Sequence, residues 1–206
     1  MAITLFSCIG GAVALPDRNL VLADRLDGGH LIVDPPRAVW DRSELQPSEL
    51  KHWSFLVAAT GKAMIDALPQ LQGGCINYWD AGNWALNVHA EPIGAKTAPA
   101  FRQTHMHLLG RSRNARTASH QWGEAPRFPD FANRHDWARP HQRLSPDECQ
   151  AIVLLVEVNL RERYRLPAKA ISAWQPCPGC KLPVPGDGKS EAATCPECKA
   201  PSSKMA

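Results

Sequence analysis

The sequence predicts an α+β protein, in which helices pack on an antiparallel sheet, followed by a small metal-binding tail. Three observations lead to this fold class. Short apolar runs alternate with turn sequences such as "DGG" at 27–29. Two longer segments have the apolar period of an amphipathic helix. The C-terminal region contains two CxxC pairs, and a chain of 206 residues has room for one domain and such an appendage.

The composition excludes several classes of protein. A hydrophobic content of 44% and a charged content of 21% are typical of a soluble globular chain. The net charge of +3 is too small to indicate nucleic-acid binding by itself. Because no apolar run reaches about 18 residues, we expect no membrane-spanning helix. Cys8, Cys75 and Cys149 are scattered and form no disulfide framework, so we expect a reducing, cytoplasmic environment.

Several apolar runs are predicted to be strands. "NLVLA" at 19–23 and "HLIV" at 30–33 are separated by the "DGG" turn, and "DPPR" stops the second because proline cannot donate to a sheet ladder. "CINYWDAGNWALNV" is interpreted as two strands joined by a turn at "DAGN". The apolar N-terminus lacks the basic residues of a secretory signal, and we expect a first strand or an extension there.

Two helices are predicted. The first covers 47–68, because Pro47 suits a first helical turn, Glu49 lies near the positive end of the helix dipole, and apolar residues recur every three to four positions. The second covers 145–165, where Ser145 is the expected N-cap and begins a capping box. Both helices are expected to pack against the sheet.

The apolar period fades between the two halves of the chain, over 111–144. This segment contains seven arginines and three acidic residues. A structureless stretch of this length is uncommon in a compact domain unless it acts on a ligand, so we interpret it as a functional loop or irregular lobe. The alternative is an insertion tolerated on a solvated face.

The tail sequence "CPGCKLPVPGDGKSEAATCPEC" has the spacing of a zinc site. Two CxxC knuckles can place four thiolates tetrahedrally around zinc, and the Pro-Gly and Pro-Glu inserts favour the tight turns that a knuckle needs. With a cysteine at every ligand position, the site should be closed and structural. The alternatives are two disulfides or unrelated thiols, which a reducing compartment disfavours. The predicted zinc ligands are Cys177, Cys180, Cys195 and Cys198.

The stretch "FRQTHMHLLGRS" alternates as a strand does, which places every second residue on one face. His105 and His107 on that face could be packing residues, a metal pair or a nucleophilic site. Neutral imidazole can attack phosphorus directly, and a polar neighbour would then hold the phosphoryl oxygens. The residues expected on this face are Phe101, Gln103, His105, His107 and Leu109. The residues that could complete a metal site are His30, His89 and Glu91.

"QTHMHLLGR" resembles the signature of the histidine triad (HIT) superfamily, in which histidine alternates with apolar residues three times before two apolar residues and often Gly-Arg. In this register His105 is the middle histidine, and Gln103 stands where the first would be. "GGHLIVDPPR" resembles the family's Gly-His, apolar strand and Pro-basic segment. The helix at 47–68 follows in the family's order, and "WALNV" with Asn87 resembles the strand that bears a substrate-contacting asparagine.

The resemblance implies a nucleotide phosphohydrolase or nucleotidyltransferase that acts at the α-phosphorus through a nucleotidyl-histidine intermediate on His105. Gln103 and His107 would be the other catalytic residues, Asn87 and Arg111 would contact the substrate, and further arginines of 111–144 could clamp phosphates. It also implies a possible homodimer. The predicted domain spans 1–170, with its core at about 15–110, the loop 111–144 and the helix 145–165; the zinc ribbon tail spans 171–206.

Two alternatives to the enzyme stay open. The altered triad could belong to a nucleotide-binding or adaptor protein that uses the zinc ribbon for contacts with a protein partner. The arginine-rich loop and the ribbon could also bind nucleic acid, and such binding should weaken steeply with salt because neutralised phosphates release counterions.

Overall fold

The computed structural model of the chain describes residues 2–186 and 193–199. These residues form a mixed α/β fold, in which helices accompany an antiparallel five-stranded sheet and a separate two-stranded sheet near the C-terminus. The predicted architecture of an antiparallel sheet with packed helices is therefore confirmed at this level. The predicted tail is described only in part, because 187–192 and 200–206 lie outside the described residues.

The large sheet has the strand order β1-β2-β3-β5-β4, with every neighbouring pair antiparallel. The strand β5 therefore lies between β3 and β4, although the chain passes through a long helix between β3 and β4. The strands of this sheet are β1 (Ile3–Cys8), β2 (Gly11–Leu15), β3 (His30–Asp34), β4 (Cys75–Ala81) and β5 (His105–Arg111). The small sheet pairs β6 (Trp174–Pro176) with β7 (Pro183–Pro185).

The α-helices of the described residues are α1 (Pro47–Ala67), α2 (Ala98–Phe101), α3 (Arg134–Ala138), α4 (Pro146–Glu162) and α5 (Pro196–Lys199). Both predicted helices are confirmed, with similar ends. The start of α4 is fixed by the expected capping box, in which Ser145 Oγ accepts from the Glu148 N–H at 3.2 Å and Glu148 Oε2 accepts from the Ser145 N–H at 2.7 Å. Among the described helices, none is long and apolar enough to cross a membrane.

One face of the large sheet carries the main hydrophobic core. Leu31 and Val33 of β3 and Leu108 of β5 are fully buried there, and α1 and α4 pack over this face. The indole N–H of Trp53 in α1 donates to the Val33 carbonyl at 3.2 Å, which ties the helix to the central strands. Because side chains alternate along a strand, the intervening residues of β3 and β5 point to the opposite face.

Two predicted strands are wrong. The segment 19–23 does not join the sheet: a 3-10 helix covers Arg18–Leu20, and the N–H of Leu22 donates to a side chain, Nδ1 of His30, at 3.2 Å. After β4 the chain turns at Gly82, whose φ is +124°, and continues as a 3-10 helix over Asn83–Leu86. Each segment contains a short 3-10 helix, and neither forms a strand of the sheet.

The start of the strand β5 is also later than predicted. Phe101 lies at the end of α2, and Gln103 lies in the connection before His105, where the strand begins. The predicted strand is therefore wrong for Phe101 and Gln103. Both residues nevertheless line the same cavity as His105 and His107.

A buried and an exposed leucine test the position of the core. Leu108→Ala should lower the free energy of unfolding by about 2–5 kcal/mol, because it leaves a cavity between β5 and the helices. Leu154→Ala on α4 is the matched control, since 54% of the Leu154 side chain is exposed. Its effect should stay within about 0.5 kcal/mol. Equal losses for the two variants in urea unfolding would contradict the assignment of this core.

Candidate active site and metal centre

Three histidines from two neighbouring strands meet on the sheet face opposite the main core. His30 begins β3, and His105 and His107 lie in β5. The register pairs His30 with Leu109 and Ile32 with His107, so His30 and His107 are diagonal neighbours. His30 Nε2 lies 2.6 Å from His107 Nδ1, and His107 Nε2 lies 3.1 Å from His105 Nε2. The nitrogens of the three rings therefore form a continuous row of hydrogen bonds.

The groups at the two ends of this row assign the proton positions. The Leu22 N–H can only donate, so His30 Nδ1 is an acceptor and the proton of neutral His30 is on Nε2. At the other end, the Gln103 carbonyl can only accept, so His105 Nδ1, 3.0 Å away, carries a proton. Between them His30 Nε2–H donates to His107 Nδ1, and His107 Nε2–H donates to His105 Nε2. All three rings are neutral in this arrangement, and His105 Nε2 holds a lone pair.

Burial keeps two of these rings uncharged. Loss of solvent lowers the pKa of His30 from 6.5 to about 3, and repulsion from His105, His120 and His141 acts in the same direction. Burial is also the largest cause that lowers the pKa of His107 well below its usual value, followed by repulsion from His30 and His105. His30 and His107 are thus neutral donors and acceptors near pH 7.

Aromatic rings cover His107. The indole of Trp79 in β4 stacks on the His107 imidazole with centroids 5.2 Å apart, and Phe128 stacks on the other side of Trp79 at 4.4 Å. Phe128 belongs to the arginine-rich segment 111–144, which therefore lies over the sheet face of the histidines. This contact favours the interpretation of the segment as a functional loop over that of an insertion tolerated on a solvated face.

Two buried ionic residues hold the segment in place. The carboxylate of Asp27 accepts from the N–H groups of Arg116 at 2.6 Å and Thr117 at 3.0 Å. Arg111, buried at the end of β5, donates to the carbonyls of Gln121 and Glu124. Arg111 therefore bonds to backbone groups of the segment that follows it.

A cavity of about 500 Å³ opens beside the histidines, a size usual for small-ligand sites. Its wall is mostly aliphatic and aromatic, with a few polar residues. The polar residues of the lining are Asp17, Asn83, Gln103, His105 and His107, and the larger apolar ones are Leu20, Leu22, Ile32, Trp79, Trp84 and Phe101. The cavity thus combines a mostly apolar wall with a small number of polar residues.

The lining brings together some of the sequence-predicted residues and omits others. Gln103, His105 and His107 all contribute to it. Asn87 and Arg111 do not line it: Asn87 caps the 3-10 helix after β4, and its side-chain oxygen accepts from the His89 N–H at 2.9 Å. In the described parts of the chain, none of the arginines of 111–144 lines this cavity either.

Sequence reasoning did not find the full set of site residues. His30 was considered only as a possible metal ligand, and Asp17, Trp79 and Asn83 were not singled out. "GGHLIVDPPR" pointed to the strand that carries His30, but nothing local in the sequence pairs that strand with β5. Within the described residues the histidine nitrogens bond one another, and only the four cysteines form a group able to hold a metal ion.

The four predicted cysteine ligands come together in the tail. The sulfurs of Cys177, Cys180, Cys195 and Cys198 all lie within 4.8 Å of one another. Cys180 Sγ and Cys195 Sγ are 3.4 Å apart, close to the roughly 3.8 Å expected for sulfurs bound to one tetrahedral zinc ion. Although burial opposes it, hydrogen bonds from backbone N–H groups lower the pKa of Cys177 to about 6. Hydrogen bonds with Cys195 and Cys180 raise the pKa of Cys198 to about 12. The donor set fits a structural metal ion.

The cysteine cluster is tied to the wall of the histidine cavity through Glu197 in α5. Its carboxylate forms two hydrogen bonds with the Arg143 guanidinium, at 2.9 and 3.0 Å, and one with Arg18 at 3.2 Å. Arg143 also donates to the Pro16 carbonyl at 3.4 Å, and Arg18 directly follows Asp17. A second cavity, of about 630 Å³, lies at this junction between the tail and the segment 111–144.

Comparison with known protein families and with curated proteins finds no match to this chain. The site has three distinctive features: the tautomers of the histidine row are fixed from both ends, the apolar cavity lies next to His105, and the cysteine tail is joined to one cavity wall.

Metal analysis tests the cysteine site. We expect about one zinc ion per chain in freshly purified, reduced protein, because four sulfurs converge at distances suited to tetrahedral coordination. Cys180→Ser should lose the metal, whereas Cys75→Ser, the same change at a thiol of β4 outside the cluster, should keep it. Reduced wild-type protein without bound zinc would contradict the ribbon.

The buried neutral histidines predict a pH-dependent stability. Unfolded His30 takes up a proton near pH 6.5, whereas folded His30 does so only at about 3. Between these values the unfolded chain binds more protons, so the free energy of unfolding should fall as the pH drops below about 6.5, by up to roughly 1.4 kcal/mol per pH unit for this group. Above pH 6.5 this contribution to stability is fully present.

Urea unfolding between about pH 5 and pH 7 measures this effect. His30→Gln should reduce the pH dependence by close to one proton, because it removes one group that titrates only on unfolding. His89→Gln is the matched control, since His89 is exposed and should contribute little. A pH dependence that stays unchanged in His30→Gln would show that His30 is not buried in its neutral form.

Proposed function

We propose that the protein is a HIT-like nucleotide hydrolase or nucleotidyltransferase that acts at the α-phosphorus through a nucleotidyl-histidine intermediate on His105. The observation that carries this proposal is the hydrogen-bond row that leaves the Nε2 lone pair of His105 unprotonated at the edge of the cavity. A neutral imidazole whose other nitrogen is held by a carbonyl is a suitable nucleophile.

Substrate binding would redirect one hydrogen bond of the row. In the free protein the His107 Nε2–H donates to His105 Nε2 and occupies its lone pair. A phosphoryl oxygen placed beside the two rings would accept that hydrogen bond instead, which frees the lone pair to attack phosphorus. The positive charge that develops on His105 is then stabilised through its Nδ1–H, which donates to the Gln103 carbonyl.

The cavity lining suggests how a nucleotide would be held. Trp84, Leu22 and Ile32 offer an apolar surface on which a base can lie. The Asp17 carboxylate can accept from ribose hydroxyls, and the side-chain amide of Asn83 can donate to phosphoryl oxygens. Asn87 and Arg111, the contacts expected by resemblance, are not needed in this arrangement.

The proposal agrees with the order of elements on which the resemblance to the HIT superfamily rests. The histidine strand β5 is central, the Gly-His strand β3 lies next to it, and α1 follows β3 in the chain. A homodimer and a zinc-filled ribbon belong to the same proposal. The metal would supply structure to the tail, and no chemical step at His105 passes through it.

A second candidate function is nucleotide binding without turnover, with the ribbon as an adaptor for a protein or nucleic-acid partner. Two observations favour it. Gln103 stands where the resemblance expects a triad histidine, and Glu197 of the ribbon contacts Arg18, which follows the cavity residue Asp17. Tight nucleotide binding with no product and no covalent adduct would support this candidate over the enzyme.

Substitution of the nucleophile tests the enzymatic proposal. Wild-type protein should hydrolyse at least one of three nucleotide classes: dinucleoside polyphosphates, nucleoside diphosphate sugars and nucleoside phosphoramidates. His105→Asn, which keeps a donor for the Gln103 carbonyl but has no nucleophilic nitrogen, should lower single-turnover rates by roughly 10³-fold or more.

The intermediate provides an independent measurement. Mass spectrometry of protein quenched at alkaline pH should find a nucleotidyl group on the peptide that contains His105. His89→Asn is the matched control and should retain both turnover and adduct, because His89 is exposed outside the cavity. If no nucleotide of the three classes is cleaved or trapped by wild-type protein, the enzymatic proposal is wrong.

A further inference from the structure

The cavity at the junction between the cysteine tail and the segment 111–144 is a second candidate binding site. We propose that it binds a phosphate dianion, either free or as the terminal group of a small phosphomonoester, and that this anion takes the place of Glu197 on Arg143 and Arg18. The cavity has a volume of about 630 Å³ and shares no lining residue with the histidine cavity. The proposal therefore does not depend on a reaction at His105.

The lining of this cavity is rich in arginine. Arg18, Arg139 and Arg143 contribute three guanidinium groups, whereas Glu197 is the one carboxylate among the described lining residues. Because arginine stays charged near pH 7, these four residues together carry an excess of two positive charges. A guanidinium also presents paired N–H groups that match two oxygens of a phosphate. Both the charge and the donors of the lining favour an anionic ligand with several oxygens.

Glu197 shows how these arginines hold an anion. Its two carboxylate oxygens each accept from one terminal nitrogen of Arg143, at 2.9 and 3.0 Å, and one of them also accepts from Arg18 at 3.2 Å. Guanidinium groups form the same paired geometry with phosphate. Only 10% of the Arg143 side chain is exposed, and it also donates to the Pro16 carbonyl at 3.4 Å, whereas 72% of the Arg18 side chain is exposed. The arginine pair is therefore positioned on the buried side and open to solvent on the other.

Hydrogen bonds between two chain segments fix the walls of the cavity. His135 and His141 both line it, and their Nδ1–H groups donate to the carbonyls of Asn19 at 3.0 Å and Val21 at 3.2 Å. A carbonyl can only accept, so Nδ1 carries a proton in both rings. The segments that carry the three arginines are thus joined to each other before any ligand binds, which reduces the entropy cost of binding.

Competition with Glu197 determines which anions bind. Because Glu197 belongs to the same chain, its effective concentration at the two arginines is on the order of millimolar or higher. A dissolved monocarboxylate offers the same single charge and the same two oxygens, so it gains nothing by exchange. A phosphomonoester carries close to two negative charges near pH 7 and three terminal oxygens, and can also pair with the third guanidinium, that of Arg139. The ion pair of Arg139 with Asp136 is exposed and contributes little, so it hinders this contact only weakly.

Titration calorimetry of the full-length protein with three anions tests the selectivity of the site. Inorganic phosphate, a sugar phosphate and acetate are compared at about pH 7.5, where the phosphates are dianions, and at constant ionic strength because salt screens the arginines. Both phosphates should bind, and acetate should not. Tighter binding of the sugar phosphate would identify the ester as the ligand, and equal binding would identify free phosphate. Acetate that binds as tightly as phosphate would contradict the proposal.

Variants of opposite effect test the exchange of Glu197 for phosphate. Glu197→Gln removes the competing charge at nearly constant size and should tighten phosphate binding by about 10-fold, whereas Arg143→Gln should weaken it by about 10-fold or more. Arg161→Gln is the matched control: Arg161 forms an ion pair with Glu157 about four helical turns from the start of α4, outside the lining, and its loss should change the affinity by less than about twofold. A gain of affinity cannot result from misfolding, so Glu197→Gln decides the question even where Arg143→Gln is unstable.

The location of the bound anion is tested at the other cavity. His105→Asn should leave phosphate binding at the junction unchanged, because the two cavities share no lining residue. Phosphate binding that is lost in His105→Asn but kept in Arg143→Gln would place the anion in the histidine cavity and overturn the proposal. The proposal is also wrong if phosphate binds neither to the wild-type protein nor to Glu197→Gln, or if Glu197→Gln binds it no more tightly than the wild type.

Discussion

The hydrogen bond between His30 Nε2 and His107 Nδ1 connects the two central strands of the sheet on the face that carries the site. It joins a buried histidine of β3 to a buried histidine of β5. The Leu22 N–H can donate to His30 Nδ1 because the chain before β3 leaves the sheet. A strand over 19–23 would have used that amide in a ladder. This hydrogen bond therefore connects the path of the loop with the tautomer of His30.

The loop before β3 also depends on two close backbone approaches. A side chain at Gly28 would meet the Gly110 backbone at 2.6 Å, and the Gly110 N–H donates to the Gly29 carbonyl at 2.9 Å. With Gly28 at φ +123° and Gly29 at +75°, the loop lies directly against the end of β5. This contact sets His30 level with Leu109, and hence one diagonal step from His107. The glycines of "DGG" and "LLGR" thus meet each other in space.

The helices were predictable because their signals are local. α1 and α4 have a proline in the first turn, capping residues and a continuous apolar stripe, and each appears with nearly the predicted ends. The strand β3 is bounded by glycine and proline, and its apolar run was recognised for the same reason. The period of two was extended too far towards the N-terminus, since Gln103 precedes the strand, although Gln103 does line the cavity beside His105. The short apolar segments 19–23 and 83–86 could not be assigned locally, since their backbone partners are distant or lie within a turn.

The site was less predictable than the fold, because its central contact joins residues 77 positions apart. The strand order that makes β3 a neighbour of β5 is a property of the whole sheet and has no local signature. Trp79 and Phe128 illustrate the same limit: one belongs to an edge strand and the other to an irregular segment, yet their rings stack on each other, and Trp79 also stacks on His107. The spacing of the CxxC pairs, in contrast, predicted the convergence of four sulfurs across a gap of fourteen residues, because a tetrahedral site needs just these ligands.

The histidine row differs in one respect from a nucleophile activated by a base and a carboxylate. In that arrangement the carboxylate stabilises a charged imidazole, so a proton can be taken up and later returned. Here both ends of the row are backbone groups, which neither titrate nor change their number of protons. The row orients His105, but neither of its end groups takes up or releases a proton near pH 7. If the proposed reaction at His105 takes place, it would depend on positioning and on hydrogen bonds to phosphoryl oxygens.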